Sequence, residues 1–387
     1  MKEHLKSLLY MCIAGILFWL FLPERYTVNA PIKLANSIAD EEILSRLKIA
    51  NNFSLSIYAD KLTGVRALAI TNTGDLIVSR PKTGELTLVY NDSNNDGRSD
   101  GKKLLLQGLD HPHGVTLHNG WLYIAETSAV LRIKYDAKQR KFLGTPHYII
   151  RNSFPGGGNH WVRTVKVGPD NKLYVSVGSS CNACLEQSEK RGTILQYDLD
   201  GKNEIIYAKG LRNTTGFDWQ PSSNLMFGLD IGRDYLGDNT PVEELNQLNI
   251  GHHYGWPYKY GHNISDPKFT DSPPNAITMI PPIHQMTAHS TPLSLLFLRN
   301  HKTISNIALV TLHGSWNRSK KSGYKVIALS FNSDTDIAQK DFITGFETDG
   351  TVIGRPVDLV EGKNGSIYLS DDYSGRVYKI TPTIKNH

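Results

Sequence analysis

A chain of 387 residues, 40% hydrophobic and 20% charged, is long enough to bury a sizeable core as one large domain or two. Its formal charge is only +5, with Lys and Arg scattered rather than clustered, so no nucleic-acid partner is expected. The 33 Gly and 18 Pro point to many turns.

At the N-terminus, Lys2 and Lys6 precede an apolar run, Leu8 to Leu22, that ends at Pro23-Glu24-Arg25. A basic flank before a short apolar core reads as an export signal or a membrane anchor, which places the rest of the chain in the periplasm. Val28-Asn29-Ala30 resembles a cleavage site, but Pro31 directly after it disfavours cleavage, so residues 1–30 read as signal peptide or retained anchor. Cys12 lies inside the run with no lipobox around it. Residues 31–52 read as a tether with a short amphipathic helix around Glu41 to Lys48.

From Phe53 a pattern recurs: an alternating apolar strand, a Gly/Asp/Asn turn, a second strand, a loop and a third strand. The copies begin at Ala67, Gly114, Thr164, Gly216, Pro292 and Pro356. Six copies at a period of about 50 residues, with period-2 alternation, predict an all-β, six-bladed β-propeller over residues 53–381 and exclude a helical solenoid. Each blade is expected to hold four strands. Phe53 to Tyr58 can supply an outer strand to the last copy, which removes the open edge between first and last blades. The insertion from Gly251 to His289, rich in Pro, Gly and aromatics, reads as a lid or site wall.

Polar chemistry concentrates between Gly156 and Asp234. A glycine run delivers His160 just ahead of one strand, GLRN puts Arg212 and Asn213 ahead of another, and Asp230-Ile-Gly-Arg-Asp234 follows the next. Glycines let backbone approach a ligand, and loops at strand ends carry function. Cys181-Asn-Ala-Cys184 is followed by Leu185 rather than His, which excludes a haem c attachment site. Without partner ligands it is also a poor zinc site, and in an exported protein a local disulfide is expected. Asp92-Ser-Asn-Asn-Asp96-Gly opens like a calcium loop but has Lys103 where a bidentate Glu is needed. A polar turn and a second calcium site both stay open there.

Taken together, GGGNHWVRTVKVGPDNKLYVSVGSSCNAC, GLRNTTGFDWQP, DIGRDYLGDNTPVEELN, YGWP, HGSWNR and GRPVDL resemble the L-sorbosone dehydrogenase family. That family is related to the soluble glucose and aldose sugar dehydrogenases that use pyrroloquinoline quinone (PQQ), and the likeness runs from about Phe53 to Ile380. It implies a six-bladed propeller and roles for particular residues. His160 takes the place of the general base on the substrate hydroxyl, and Arg212 and Asn213 the place of the pair that bonds the quinone. Arg355 matches a carboxylate-binding arginine, and Arg318 stands for another basic ligand. His113 falls near a cofactor-contacting glutamine. Asn159 occupies a position where the glucose enzymes carry an aspartate beside the base. The backbone carbonyls of Gly232 and Arg233 match those that hold Ca²⁺.

The implied activity is PQQ- and calcium-dependent oxidation of an aldose or sugar aldehyde such as sorbosone, with electrons passing to an external quinone or cytochrome. Two other functions compete: a calcium-dependent lactonase-like propeller and a non-catalytic periplasmic binding propeller. A lactonase needs acidic side chains converging on the metal, and a binding propeller has no need for His160, Arg212, Asn213 and Arg355 together.

Overall fold

In the computed structural model of the chain, described over residues 24–31, 38–270, 277–301, 306–333 and 336–383 and at five positions between 7 and 13, six sheets gather around one axis. The innermost strands are Leu68–Ile70, Val115–His118, Val165–Val167, Thr214–Trp219, Pro292–Phe297 and Pro356–Glu361, and they surround a central cavity of about 520 Å³. Most of the apolar run Leu8 to Leu22, Cys12 included, lies outside the described residues. No described helix is long and apolar enough to cross a membrane.

The alternation in the sequence has a direct physical meaning here, because each blade is buried on both faces. In the strand Leu173–Val177, Leu173, Val175 and Val177 pack against the preceding blade, while Tyr174 packs against Phe217 and Trp219 of the following one. Ile77 likewise faces the second blade, whereas its neighbours Leu76 and Val78 face the sixth. The result is six apolar wedges, one at each blade junction. Fully burying a large aliphatic or aromatic side chain contributes about 1.5–3 kcal/mol, so these wedges dominate the stability of the ring.

Near the axis the contacts become polar. The Ser79 hydroxyl accepts from Ala67 N at 2.9 Å within its own blade and donates to His113 O at 2.8 Å in the next. Thr311 joins Ser294 N to Val357 O, and Ser370 joins Asp358 N to Arg66 O, in the same way. Each hydroxyl satisfies backbone groups freed where an inner strand bends away from its partner. Gly114 makes a further close approach possible: a Cβ there would lie 2.7 Å from Arg163 O and Val165 N.

Phe53–Ala59 pairs antiparallel with Arg376–Pro382 and closes the ring, as its position in the sequence implied. Four blades have four strands; the third and fifth gain a short fifth strand, His252–His253 and Lys48–Ile49. The latter belongs to residues 31–52, expected as a tether, of which Asp40–Arg46 and Lys48–Ile49 pack onto the propeller. Helix Asp40–Arg46 buries Ile43 completely in the wedge between the fifth and sixth blades, and Asp40 pairs with Arg376 at 2.9 Å. The insertion Gly251 to His289 supplies the outer strand of the fourth blade, His284–Met286, and a hairpin of Lys259–Tyr260 with Ile264–Ser265.

Candidate active site

The loops entering the inner strands and those leaving the second strands meet at one end of the ring. His160, five residues ahead of the strand Val165–Val167, lies with Nδ1 2.9 Å from both Ser179 O and Ser179 Oγ. A carbonyl oxygen can only accept, so the imidazole proton sits on Nδ1 and the lone pair is left on Nε2. The loop bearing His160 is clamped by two buried arginines. Arg163 donates to His160 O and Pro155 O, and Arg191 to Gly156 O, Gly157 O and Gly178 O. Neither arginine stood out in the sequence, although HWVRT places Arg163 only three residues from the histidine.

Gly178 is where His160 meets the GLRN loop. A Cβ on it would fall 2.6 Å from both His160 Cβ and Asn213 Oδ1. Only a residue without a side chain lets these two groups approach each other. Gly178→Ala is therefore expected to cost about 1–3 kcal/mol of stability through overpacking and to displace His160. Thermal unfolding and a His160 imidazole NMR shift check it; a variant unchanged in both contradicts this packing.

Arg212 is 4% exposed and nearly saturated by the protein. Nε donates to Asn182 O, Nη1 to Ile231 O, and Nη2 to Asn182 Oδ1 and, at 3.4 Å, to Asp234 Oδ2. Of its five N–H groups, one is left for a ligand. Asp230 accepts from the main-chain N of Arg212 and of Asn213 and so fixes the GLRN loop. The Asn213 side-chain amide has no bond to the described residues. Burial pulls the Arg212 guanidinium below its ordinary value, while Asp234, Asp230 and Glu243 pull it back up. It stays charged.

The Ile231–Asp234 loop passes beside Arg212. Gly232 N donates to Glu243 Oε2 at 2.8 Å, and a Cβ on Gly232 would lie 2.7 Å from the Pro241 ring. Arg233 points away from the axis to a buried pair with Asp266 of the insertion, at 2.9 Å. The insertion is thus the outer wall of this loop. Among the described residues, no donor bonds the carbonyl oxygens of Gly232 and Arg233.

Across the ring, Arg355 donates from Nε to His313 O and from Nη2 to Gly314 O, which leaves Nη1 without a described protein partner. Asp372 lies beside it, pairing with Arg66 at 2.7 Å and His313 at 3.0 Å. Arg66 Nε in turn donates to His113 Nε2 at 3.2 Å, and the His113 ring stands 6.3 Å from that of Trp161, next to His160. His160, Arg212, Asn213, Arg355 and His113 are therefore gathered on one face. Asn159 is exposed on the glycine loop, with its main-chain N bonded to Ser180 O. Arg318 is turned to Asp238 O, Ala288 O and Asn239 Oδ1, where it ties outer loops together. The Asp92 loop closes on itself through Asp92, Asn94 and Asp96, and Asp92 pairs with Lys379 at 2.8 Å. Cys181 and Cys184 are disulfide-bonded.

Burial, then the charge of Arg212, holds His160 down at about 3 against the pull of the Ser179 bond. Burial also lowers His313 to about 4, opposed by Asp372. Both histidines are neutral in the folded protein but protonate near 6.5 when unfolded. Across that interval the unfolded chain binds more protons, so their contribution is full above pH 6.5 and is lost as pH falls. Buried Glu243, Glu244 and Asp371, raised by burial, act in the opposite direction in any variant, so the expected result is a difference: between pH 6.5 and 4 the thermal midpoint of His313→Gln falls less, or rises more, than that of wild type. Parallel profiles for the two proteins contradict this.

The fold is a six-bladed β-propeller that carries a fixed neutral histidine among buried arginines on one face. The chain belongs to the TrAA12-like family, whose model matches residues 47–263 and 238–383. It is 31% identical to an uncharacterized protein of Borreliella burgdorferi over 93% of this chain and 98% of that one. It is 25% identical to the pyrroloquinoline quinone-dependent pyranose dehydrogenase of Coprinopsis cinerea over 87% of this chain, and spans 54% of that enzyme's length. Among solved structures, the calcium structure of a Trichoderma reesei family AA12 protein superposes with a TM-score of 0.76 at 18% identity, covering 87% of this chain and 97% of that one. The holo PQQ domain of the Coprinopsis cinerea pyranose dehydrogenase superposes with a TM-score of 0.72 at 22% identity, with the same coverage.

Proposed function

We propose that this face of the propeller oxidises a sugar, an aldose or sugar aldehyde, with PQQ as the hydride acceptor and Ca²⁺ beside it. One observation carries the reading: His160, neutral and with a free Nε2, converges with Asn213 on Gly178 and is flanked by cationic donors. The pyranose dehydrogenase relative supports the same chemistry.

The residues present fit both groups. A flat tricarboxylate needs cationic and amide donors around it, and such donors without a described protein partner stand on this face. Arg355 Nη1, the Asn213 amide and the remaining Arg212 N–H would hold the quinone. The carbonyls of Gly232 and Arg233 are hard oxygen donors of the kind Ca²⁺ takes. When bound, the quinone supplies a two-electron acceptor and the cation a Lewis acid that favours its reduction.

The chain's own residues do the rest. Ser179 fixes the ring of His160, so Nε2 is the atom that takes the substrate hydroxyl proton as hydride leaves the same carbon. The buried arginines disfavour imidazolium, and an anionic ligand set against them would offset that repulsion and raise the basicity of His160. Electrons then pass to an external quinone or cytochrome. Titrating the apo-protein with PQQ while following tryptophan fluorescence tests the binding. Saturable one-to-one binding that strengthens with Ca²⁺ is expected; no binding at millimolar quinone with Ca²⁺ present overturns the reading.

A further inference from the structure

The disulfide-closed ring Cys181-Asn182-Ala183-Cys184 touches several residues of the site. Asn182 alone makes four hydrogen bonds to it. Its main-chain O accepts from Arg212 Nε at 2.9 Å, and its Oδ1 accepts from Arg212 Nη2 at 2.9 Å and Asp234 N at 2.8 Å. Its Nδ2 donates to Asp234 O at 3.1 Å. On the other side, the Ser179 hydroxyl that accepts from His160 Nδ1 donates to Cys181 O at 2.8 Å. Lys268 of the insertion holds Ala183 O at 2.7 Å.

These contacts come from loops of the third and fourth blades and converge on one small covalent ring. Ordering a free loop residue costs about 1–2 kcal/mol of backbone entropy, and a disulfide lowers that cost by restricting the loop before it docks. An asparagine that must satisfy four partners at once benefits most from being held in advance. Nothing in a purely stabilising disulfide requires its enclosed side chain to grip a buried arginine.

We propose that the Cys181–Cys184 ring is a positioning element of the active site and that Asn182 is its positioning residue, setting Arg212 against the Ile231–Asp234 loop while Ser179 carries the same restraint to His160. This rests on the reading of Arg212 and His160 given above. The ring thereby couples the cofactor-binding arginine to the base, and the two are placed by one device.

The test uses the full-length protein with Asn182→Ala, and separately with Cys181→Ser and Cys184→Ser together. Amide hydrogen exchange is read without ligand, and PQQ affinity by fluorescence titration. Asn182→Ala is expected to speed exchange at Ile231 to Tyr235 and to raise the PQQ Kd roughly 10- to 100-fold, with the thermal midpoint close to wild type. Opening the disulfide should speed exchange there and at Gly158 to Trp161. Faster exchange confined to Cys181 through Ser188, with unchanged PQQ affinity, would show a merely local staple and overturn the proposal. If the double variant fails to fold, Asn182→Ala decides alone. If wild type binds no PQQ, the functional reading fails while the exchange measurements still decide whether the ring orders these loops.

Discussion

His160→Ala should lower turnover by roughly 10²- to 10⁴-fold, the usual contribution of a positioned acid–base group, while PQQ affinity stays close to wild type. The imidazole donates Nδ1–H to Ser179, which leaves the Nε2 lone pair without a described partner, and the proposed mechanism assigns that lone pair to the substrate hydroxyl and not to the cofactor. Dye-linked turnover at saturating PQQ, beside a PQQ titration, separates the two effects. Turnover near wild type would remove His160 as the base. His113 offers no easy substitute, because its Nε2 already accepts from Arg66.

Arg212→Ala should be costly in another way. It would leave Asn182 O, Ile231 O and Asp234 without their donor in a site where the arginine is 4% exposed. Asp230 and Glu243 would lose the charge that offsets their burial. Breaking a buried ionic network in this manner costs about 3–5 kcal/mol, so a large fall in thermal midpoint is expected together with loss of PQQ binding. Arg355→Ala, by contrast, removes a guanidinium whose hydrogen bonds to the described residues go to the carbonyls of His313 and Gly314, with the Tyr324 ring 5.8 Å away. It should weaken PQQ affinity roughly 10- to 100-fold with little loss of stability, and excess PQQ should restore turnover. Equal midpoints for the two variants would contradict this division of roles.

The blades were legible wherever both faces of a strand are apolar. LIVS, LYIA, LYVS and IYLS all read as second strands, and in the structure each packs its alternate residues into two different wedges. The third strand of the fourth blade, Glu243–Leu248, was not legible. It opens with two glutamates, both buried and both raised by burial to about 8. Their partners are the main-chain amides of Gly232, Thr291 and Gly261 and the side-chain amide of Asn246, none of which a periodicity argument can see. Helix Asp40–Arg46 was visible as a helix but not as part of the core, because Ile43 is its only fully buried residue. In the site, motif likeness named residues such as His160 and Arg212, but not Arg163, Arg191, Ser179 or Asn182, which act by gripping other residues. Their roles depend on loops that meet only after the ring closes.

The most direct test is sugar oxidation by chelator-treated protein, assayed with an artificial electron acceptor after adding PQQ, Ca²⁺, or both. Activity should appear only when both are present, across a panel of aldoses and sugar aldehydes, and should be nearly absent from His160→Ala under the same conditions. A protein that binds PQQ and Ca²⁺ yet oxidises no sugar in the panel, or one equally active without PQQ, would contradict the assignment.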